Sequence, residues 1–243
     1  MDSNHKEYDF KASALRIGEY LTGTSGSYEE VNSLPDRDRL TYSNGFYANC
    51  AAIFVDIRDS SKLPSHYKRP RLARLYRAYL SELVAIFNGY AKTREINIAG
   101  DAAWAVVNTP NKPDVDRVFW MAYTANSMVK ILNYKMVKAG YETPVRIGIG
   151  ASWGRALMIK AGYNGSGIQD IVYMGDVVND AAKLAAHGSS QLNVPPIVAS
   201  EDFHFNLSDD NQKLLSQDRY RLSCYSGEVG NAAMEEWYEE NCR

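Results

Sequence analysis

Two apolar runs that each end in an aspartate constrain this chain more than any other feature. Ala51-Ala52-Ile53-Phe54-Val55 runs into Asp56, and Ile96-Asn97-Ile98-Ala99-Gly100 runs into Asp101. A carboxylate at the rim of a buried strand is costly to hold there unless a cation pairs with it. A helix-length segment separates the runs, which fits neighbouring antiparallel strands that deliver both aspartates to one edge. Paired acidic strand ends are a common way to hold Mg²⁺ or Mn²⁺ against a triphosphate. The structural alternatives are a cap or turn carboxylate at Asp56 and a hairpin turn at Asp101.

The surrounding segments have the periodicity of a mixed fold. Residues 46–56 read as a buried strand. Residues 70–90 carry Leu72, Leu75, Tyr79, Leu83 and Ile86 at helical spacing. Residues 94–107 read as two strands broken at Gly100-Asp101, a hairpin signal. A second long helix is predicted over 113–139, with Pro113 in its first turn and Gly140 after its end. Residues 145–159 read as a further strand pair around Gly148, Gly150 and Gly154. A short strand over 171–174, a helix over 177–186 and a late strand from Pro195 follow. The chain ends carry a predicted helix over 11–21, a strand near 220–224 and a helix over 232–239. The order β-α-β-β-α-β predicts an α+β sandwich. Residues 1–44 form an N-terminal helix and arm, 45–200 the core, and 201–243 an extension that completes the domain.

Composition removes several classes of function. At 243 residues the chain suits one generous domain, and its net charge of -2 gives no general attraction to nucleic acid or acidic membranes. Cys50, Cys224 and Cys242 lack metal-ligand spacing and read as reduced thiols. The N-terminal residues form no apolar signal segment, and no apolar stretch has membrane-spanning length, so a soluble cytoplasmic protein is expected. His5, His66, His187 and His204 are scattered and read as surface or capping residues. Ser60-Ser61 has no His-Asp partner pattern, so phosphate contact or helix capping is expected there rather than nucleophilic chemistry. Trp104, Trp120 and Trp153 read as core and interface filling, and Lys68-Arg69-Pro70-Arg71 as the solvated start of a helix.

Four ordered segments resemble the class III nucleotidyl cyclases, the adenylate/guanylate cyclase catalytic domain. They are Phe54-Val55-Asp56-Ile57-Arg58-Asp59-Ser60-Ser61, Ile98-Ala99-Gly100-Asp101-Ala102-Ala103-Trp104-Ala105, Arg146-Ile147-Gly148-Ile149-Gly150, and Tyr173-Met174-Gly175-Asp176-Val177-Val178-Asn179-Asp180-Ala181-Ala182-Lys183-Leu184. The resemblance covers about residues 46–200 and implies a ferredoxin-like βαββαβ core in a head-to-tail homodimer. It implies two divalent cations, Mn²⁺ or Mg²⁺, held by Asp56, Asp101 and the carbonyl of Ile57. One cation helps the ribose 3′-hydroxyl to attack the α-phosphorus, and the other neutralises the departing pyrophosphate. Arg58, Asp59, Ser60 and Ser61 lead towards a helix start whose N–H groups receive phosphate oxygens. Arg58 and Asp59 can equally form a local ion pair. Asn179 matches the asparagine that stabilises the transition state. Lys183, one turn later, stands where most members carry arginine and keeps the charge without the fork. Arg155 and Lys160 are candidate triphosphate contacts.

The departures from the family bear on the substrate. Four residues before the second metal aspartate, adenylate cyclases carry Lys and guanylate cyclases Glu; here it is Asn97. The partner position, seven residues before Asn179, is Val172, which can only pack. A purine site with these residues loses the hydrogen bonds that discriminate its base. The combination is similar to the stand-alone pyrimidine cyclases of bacterial Pycsar antiphage systems, whose cyclic UMP or cyclic CMP activates a separate effector without required contact. Asn97 can serve uracil or cytosine by flipping its amide, and Phe54 or Tyr47 can fill the space of a purine. UTP is the favoured substrate, with CTP, then a purine triphosphate, then an inactive nucleotide-binding module as alternatives. A nucleoside triphosphate and a second copy of the chain are the expected partners, without nucleic acid or membrane.

Overall fold

The computed structural model describes residues 3–23, 26–218 and 223–242. In chain order the elements are α1 (Phe10–Thr22), β1 (Tyr28–Glu30), β2 (Gly45–Ile57), α2 (Leu63–His66), α3 (Arg69–Asn88), β3 (Thr93–Ala99), β4 (Ala102–Asn108) and α4 (Lys112–Lys138). They continue as β5 (Ile147–Tyr163), β6 (Ile168–Met174), α5 (Asp176–His187), β7 (Ile197–Ser200), α6 (Glu201–Phe205), α7 (Asp209–Gln212), β8 (Ser216–Gln217), β9 (Cys224–Gly227) and α8 (Ala232–Asn241). Two compact units result. One joins Met1–Ala48 to Arg155–Gly175, and the other joins Asn49–Gly154 to Asp176–Arg243.

The larger unit carries the predicted β-α-β-β-α-β order as β2, α3, β3, β4, α4 and β5. Its strands lie in the order β3-β4-β2-β5-β7-β9-β8. The first four positions give the second, third, first and fourth strands of the motif, the ferredoxin-like arrangement. The helices form where apolar residues recur on one face. Leu75, Tyr79, Leu83 and Phe87 are the buried stripe of α3, and α4 buries Val115, Val118, Phe119 and Ala122 on its own. These meet Ile53, Val55, Ala103 and Ala105 from the strands in one cluster. Burying each large aliphatic or phenyl side chain contributes roughly 1.5–3 kcal/mol. Proline occupies the first turn of both helices, where its missing N–H costs nothing.

The expected strand pair over 145–159 is instead one continuous strand, β5. Its glycines are not turn residues. A Cβ on Gly148 would come within 2.1 Å of the Ala185 carbonyl oxygen, and one on Gly150 within 2.0 Å of the Ala181 carbonyl oxygen. They let α5 lie directly on the strand backbone, which fixes the height of that helix over the sheet. The strand expected near 220–224 falls partly on 219–222, outside the described residues, and β9 begins at Cys224.

In the smaller unit, β1 runs parallel to the first residues of β2, Tyr28 opposite Gly45. β6 pairs antiparallel with the last residues of β5, from Leu157 opposite Met174 to Tyr163 opposite Ile168. α1 has no buried residue and exposes Phe10, Leu15, Ile17 and Leu21.

Candidate active site

Strand register brings the two aspartates together. β2 and β4 are antiparallel with Asp56 opposite Ala102, so the residue before Ala102 lies at the same sheet rim. The turn between β3 and β4 depends on Gly100, whose φ of 66° is open to glycine at little cost. Burial pushes the Asp56 carboxyl up to about 6, and the charge and hydrogen-bonding reach of Asp101 push the same way, opposed by Arg58. Asp101 Oδ2 is buried with no hydrogen-bond partner.

Two like-charged carboxylates in reach of one another, one with an orphaned buried oxygen, are short of positive charge. Oxygen donors of this kind suit Mg²⁺ or Mn²⁺. Among the described residues no group of three or more His, Cys, Asp or Glu side chains could hold a metal. A cation here would therefore complete its shell with backbone, water and substrate oxygens, and the residues present fit that arrangement. Tyr79 lies beneath the pair. It is fully buried, its hydroxyl has no partner, and burial plus the charges of Asp56 and Asp101 hold its pKa well above the ordinary value. Helical spacing marks Tyr79 as a core residue; only the choice of tyrosine over leucine hints at the charged neighbours.

Beyond Asp56 the chain is tied down by two arginines. Arg58 Nη2 donates to Asp56 Oδ2 at 2.6 Å, and its Nη1 donates to the Ala186 carbonyl at 2.9 Å. Asp59 adopts the left-handed region at φ 57° and pairs with Lys62 at 2.8 Å and Arg146 at 3.1 Å. The alternative of a local Arg58–Asp59 ion pair is not what forms, because the two side chains find other partners. Ser60 and Ser61 open a single 3₁₀ turn, Ser60–Lys62, before α2. Ile57, the candidate carbonyl ligand, is buried, and its N–H donates to Asp56.

Asn179 and Lys183 lie four residues apart on α5, both exposed, while Val177, Ala181, Leu184 and Ala185 face inward. Lys183 Nζ donates to Asp180 at 3.1 Å. At the C-terminal end of this helix, His187 Nε2 lies 3.1 Å from Asp218 Oδ1, so it is a packed partner of a buried aspartate rather than a surface residue.

Asn97, Trp104 and Phe54 form one row across three strands, since Asn97 is opposite Trp104 and Trp104 opposite Phe54. The Phe54 and Trp104 rings stack with centroids 5.3 Å apart and planes within 3°. Asn97 Nδ2 donates to Glu95 Oε1 at 3.3 Å. Trp104 is half-buried between buried Ala103 and Ala105, on the sheet face away from the helices. That two-residue alternation is the signal that separates it from core filling.

The remaining candidates belong to the smaller unit. Arg155 donates through Nε and Nη2 to Glu30, at 3.0 and 2.6 Å, and its guanidinium lies 3.7 Å from the Tyr47 ring centroid. This ion pair holds Glu30 below the usual carboxylate range. Val172 is 40% exposed on β6, opposite Ile159, and Lys160 follows on β5, half-buried.

Residues 43–230 match the family described as the adenylate and guanylate cyclase catalytic domain. The chain belongs to this family. A protein of Gulbenkiania mobilis named uridylate cyclase is 39% identical over 259 residues, spanning 99% of this chain and 100% of that protein. A second, from Treponema porcinum and also named uridylate cyclase, is 37% identical over 214 residues, 88% of this chain and 74% of that one. The crystal structure of the adenylyl cyclase CyaB from P. aeruginosa shares the fold, with a TM-score of 0.61 at 20% identity, over 71% of this chain and 84% of that one. Cyclases of this class use divalent metal ions. Among the described residues of this cyclase domain, no helix is long and apolar enough to cross a membrane.

Proposed function

We propose that this protein is a uridylate cyclase, converting UTP to 3′,5′-cyclic UMP and pyrophosphate. The observation that carries the reading is the row Asn97–Trp104–Phe54. An amide that can pair with a pyrimidine edge stands in register with a stacked aromatic pair, and it lacks the charged group that a purine-reading site carries at that position. The two relatives named uridylate cyclase support the same substrate.

The reaction joins the ribose 3′-oxygen to the α-phosphorus and breaks the bond to the β-phosphate oxygen, with pyrophosphate leaving. Two divalent cations, Mn²⁺ or Mg²⁺, supply a Lewis acid for the attacking oxygen and charge neutralisation for the leaving group. Asp56, Asp101 and the Ile57 carbonyl would hold them. Asn179 donates to the ribose and the developing charge, and Lys183 supplies a point charge to the phosphate one helical turn away. Arg58, Asp59, Ser60 and Ser61 border the phosphate end. Arg155 and Lys160 remain candidates for triphosphate contact, and Val172 packs against the base. Tyr47 lies against the Arg155 guanidinium, and Tyr47 or Phe54 would fill the space of a purine.

The site is shared between two copies of the chain arranged head to tail. One supplies Asp56 and Asp101, and the other supplies Asn179 and Lys183. A diffusible cyclic nucleotide needs no contact with its receiver, so a separate effector in antiphage signalling is the setting that the family resemblance supports. Purified protein offered ATP, GTP, CTP and UTP separately with Mn²⁺ tests the reading. UTP should be cyclised at least about tenfold faster than either purine, a margin of about 1.4 kcal/mol. CTP as the best substrate would make the protein a cytidylate cyclase, and faster ATP or GTP turnover would sink the pyrimidine reading.

A further inference from the structure

Arg58 is turned inward. Its side chain is only 13% exposed. The guanidinium forks between two acceptors, Asp56 Oδ2 at 2.6 Å and the Ala186 carbonyl at 2.9 Å. Ala186 lies in the last turn of α5, where the helix presents its negative end. The backbone repeats the link, because Arg58 N–H donates to the Arg146 carbonyl at 2.8 Å. Arg146 in turn reaches Asp59 at 3.1 Å and the Ser189 carbonyl, just past α5, at 3.4 Å. Arg58 Nε is buried with no hydrogen-bond partner, a cost that surface placement of the guanidinium would avoid. The other end of the link is equally firm, since Gly148 and Gly150 seat α5 on the backbone of β5.

We propose that Arg58 is a positioning residue that joins the Asp56 carboxylate to the C-terminal end of α5. A divalent cation arriving at Asp56 and Asp101 is thereby felt at the helix that bears Asn179 and Lys183. The inference rests on the cyclase reading above. In its head-to-tail dimer, Asp56 and α5 of one chain serve different sites, so Arg58 runs between the two sites. An Arg58 that gripped substrate phosphate would act within one site only.

Hydrogen exchange with the metal alone is the first test. Without nucleotide, Mn²⁺ should slow amide exchange of residues 176–187 in the native protein, and Arg58→Gln should abolish the slowing. Arg58→Lys should restore it only in part, because an ammonium is a point charge without the rigid planar fork that spans both acceptors. Asp56→Ala should lose the metal effect altogether. No slowing in the native protein, or equal slowing in a folded Arg58→Gln variant, overturns the proposal.

Mixed dimers are the second test. Pairing an Asp56→Ala chain with an Asn179→Ala chain leaves one complete site. Adding Arg58→Gln to the Asn179→Ala chain loosens the working carboxylate and should lower kcat by about tenfold, as for other groups that orient metal ligands, with the nucleotide KM little changed. In the Asp56→Ala chain the link is already cut at its carboxylate end, so the same change there should have the smaller effect. A loss confined to the Asn179→Ala chain with a raised KM overturns the proposal in favour of a phosphate ligand. If the parent pair shows no activity at all, the shared-site reading fails and the exchange experiment alone decides the role of Arg58.

Discussion

Asp56 and Asp114 are carboxylates of the same compact unit, and their surroundings are opposites. Asp114 sits in the first turn of α4. Its Oδ1 accepts from Tyr90 and Lys92, each at 2.6 Å, and its Oδ2 accepts from the Asn111 N–H at 3.1 Å. Burial alone would raise its pKa, but these donors outweigh burial and hold it below the ordinary value. Asp56 has a single cation, Arg58, and faces a second carboxylate, so burial and repulsion carry it up to about 6. A carboxylate that serves the fold has its donors installed when the chain folds. One that awaits a ligand is left short of positive charge, and the shortage marks the candidate site.

The sharpest way to break this comparison is to remove each carboxylate and measure turnover. Asp56→Ala should lower cyclase turnover by more than about a hundredfold, beyond the usual loss for a group that merely orients a ligand. Asp114→Ala should leave turnover per folded molecule within about twofold, since nothing it touches belongs to the site. Comparable losses in both variants, each normalised to the folded fraction, would erase the distinction.

Stability should rank the same pair in reverse. Asp114→Ala strands Lys92 and Tyr90 and leaves the first turn of α4 without its carboxylate. Lys92 is 41% exposed, so the cost lies between that of a lost cap and that of a broken buried pair. Urea unfolding of the metal-free protein should show a loss of about 2 kcal/mol. Asp56→Ala should cost less than this, because it also removes a repulsion. A larger loss at Asp56 than at Asp114 would count against the view that Asp56 is held at the expense of the fold.

The contrast explains what could be read in advance. The order β2-α3-β3-β4-α4-β5 is legible because each element is long and keeps its period, and Gly100-Asp101 announces the hairpin that brings Asp101 to Asp56. The continuity of β5 is not legible. Gly148 and Gly150 look like breaks, and only the approach of α5 to the strand shows why no side chain fits. β1 is three exposed residues held by the start of β2, too short for a periodic signal. The distant partners, Ala186 for Arg58, Arg146 for Asp59 and Asp218 for His187, depend on how remote segments are brought together, and sequence spacing gives no guide to them. Trp104 reads as filling in the sequence, although its alternation with Ala103 and Ala105 carries the signal. Its place beside Phe54, on the face away from the helices, shows only in the strand register.

The smallest effect is the dependence of stability on pH, and its sign separates the two aspartates. An aspartate in an unfolded chain titrates near 3.9. Asp114 is depressed in the folded state, so its contribution is present above about pH 4 and is lost as pH falls through the folded value. Asp56 is raised to about 6, so between about pH 4 and pH 6 the folded chain keeps a proton that the unfolded chain has released. Stability therefore falls as pH rises across that window, and the deficit persists above it. Melting curves in chelator should show Asp56→Asn gaining on the native protein as pH is taken from 4 to 7. Asp114→Asn should recover towards the native protein only below about pH 4. The Asp56 side chain is 35% exposed, and solvent screening trims the effect to the order of 2 °C in melting temperature. Added Mn²⁺ should oppose the trend in the native protein and leave Asp56→Asn almost unmoved, because a cation bound between the carboxylates removes the repulsion that makes the window visible. A native protein whose stability rises through pH 4 to 6 as steeply as that of Asp56→Asn would show that the two carboxylates do not oppose one another.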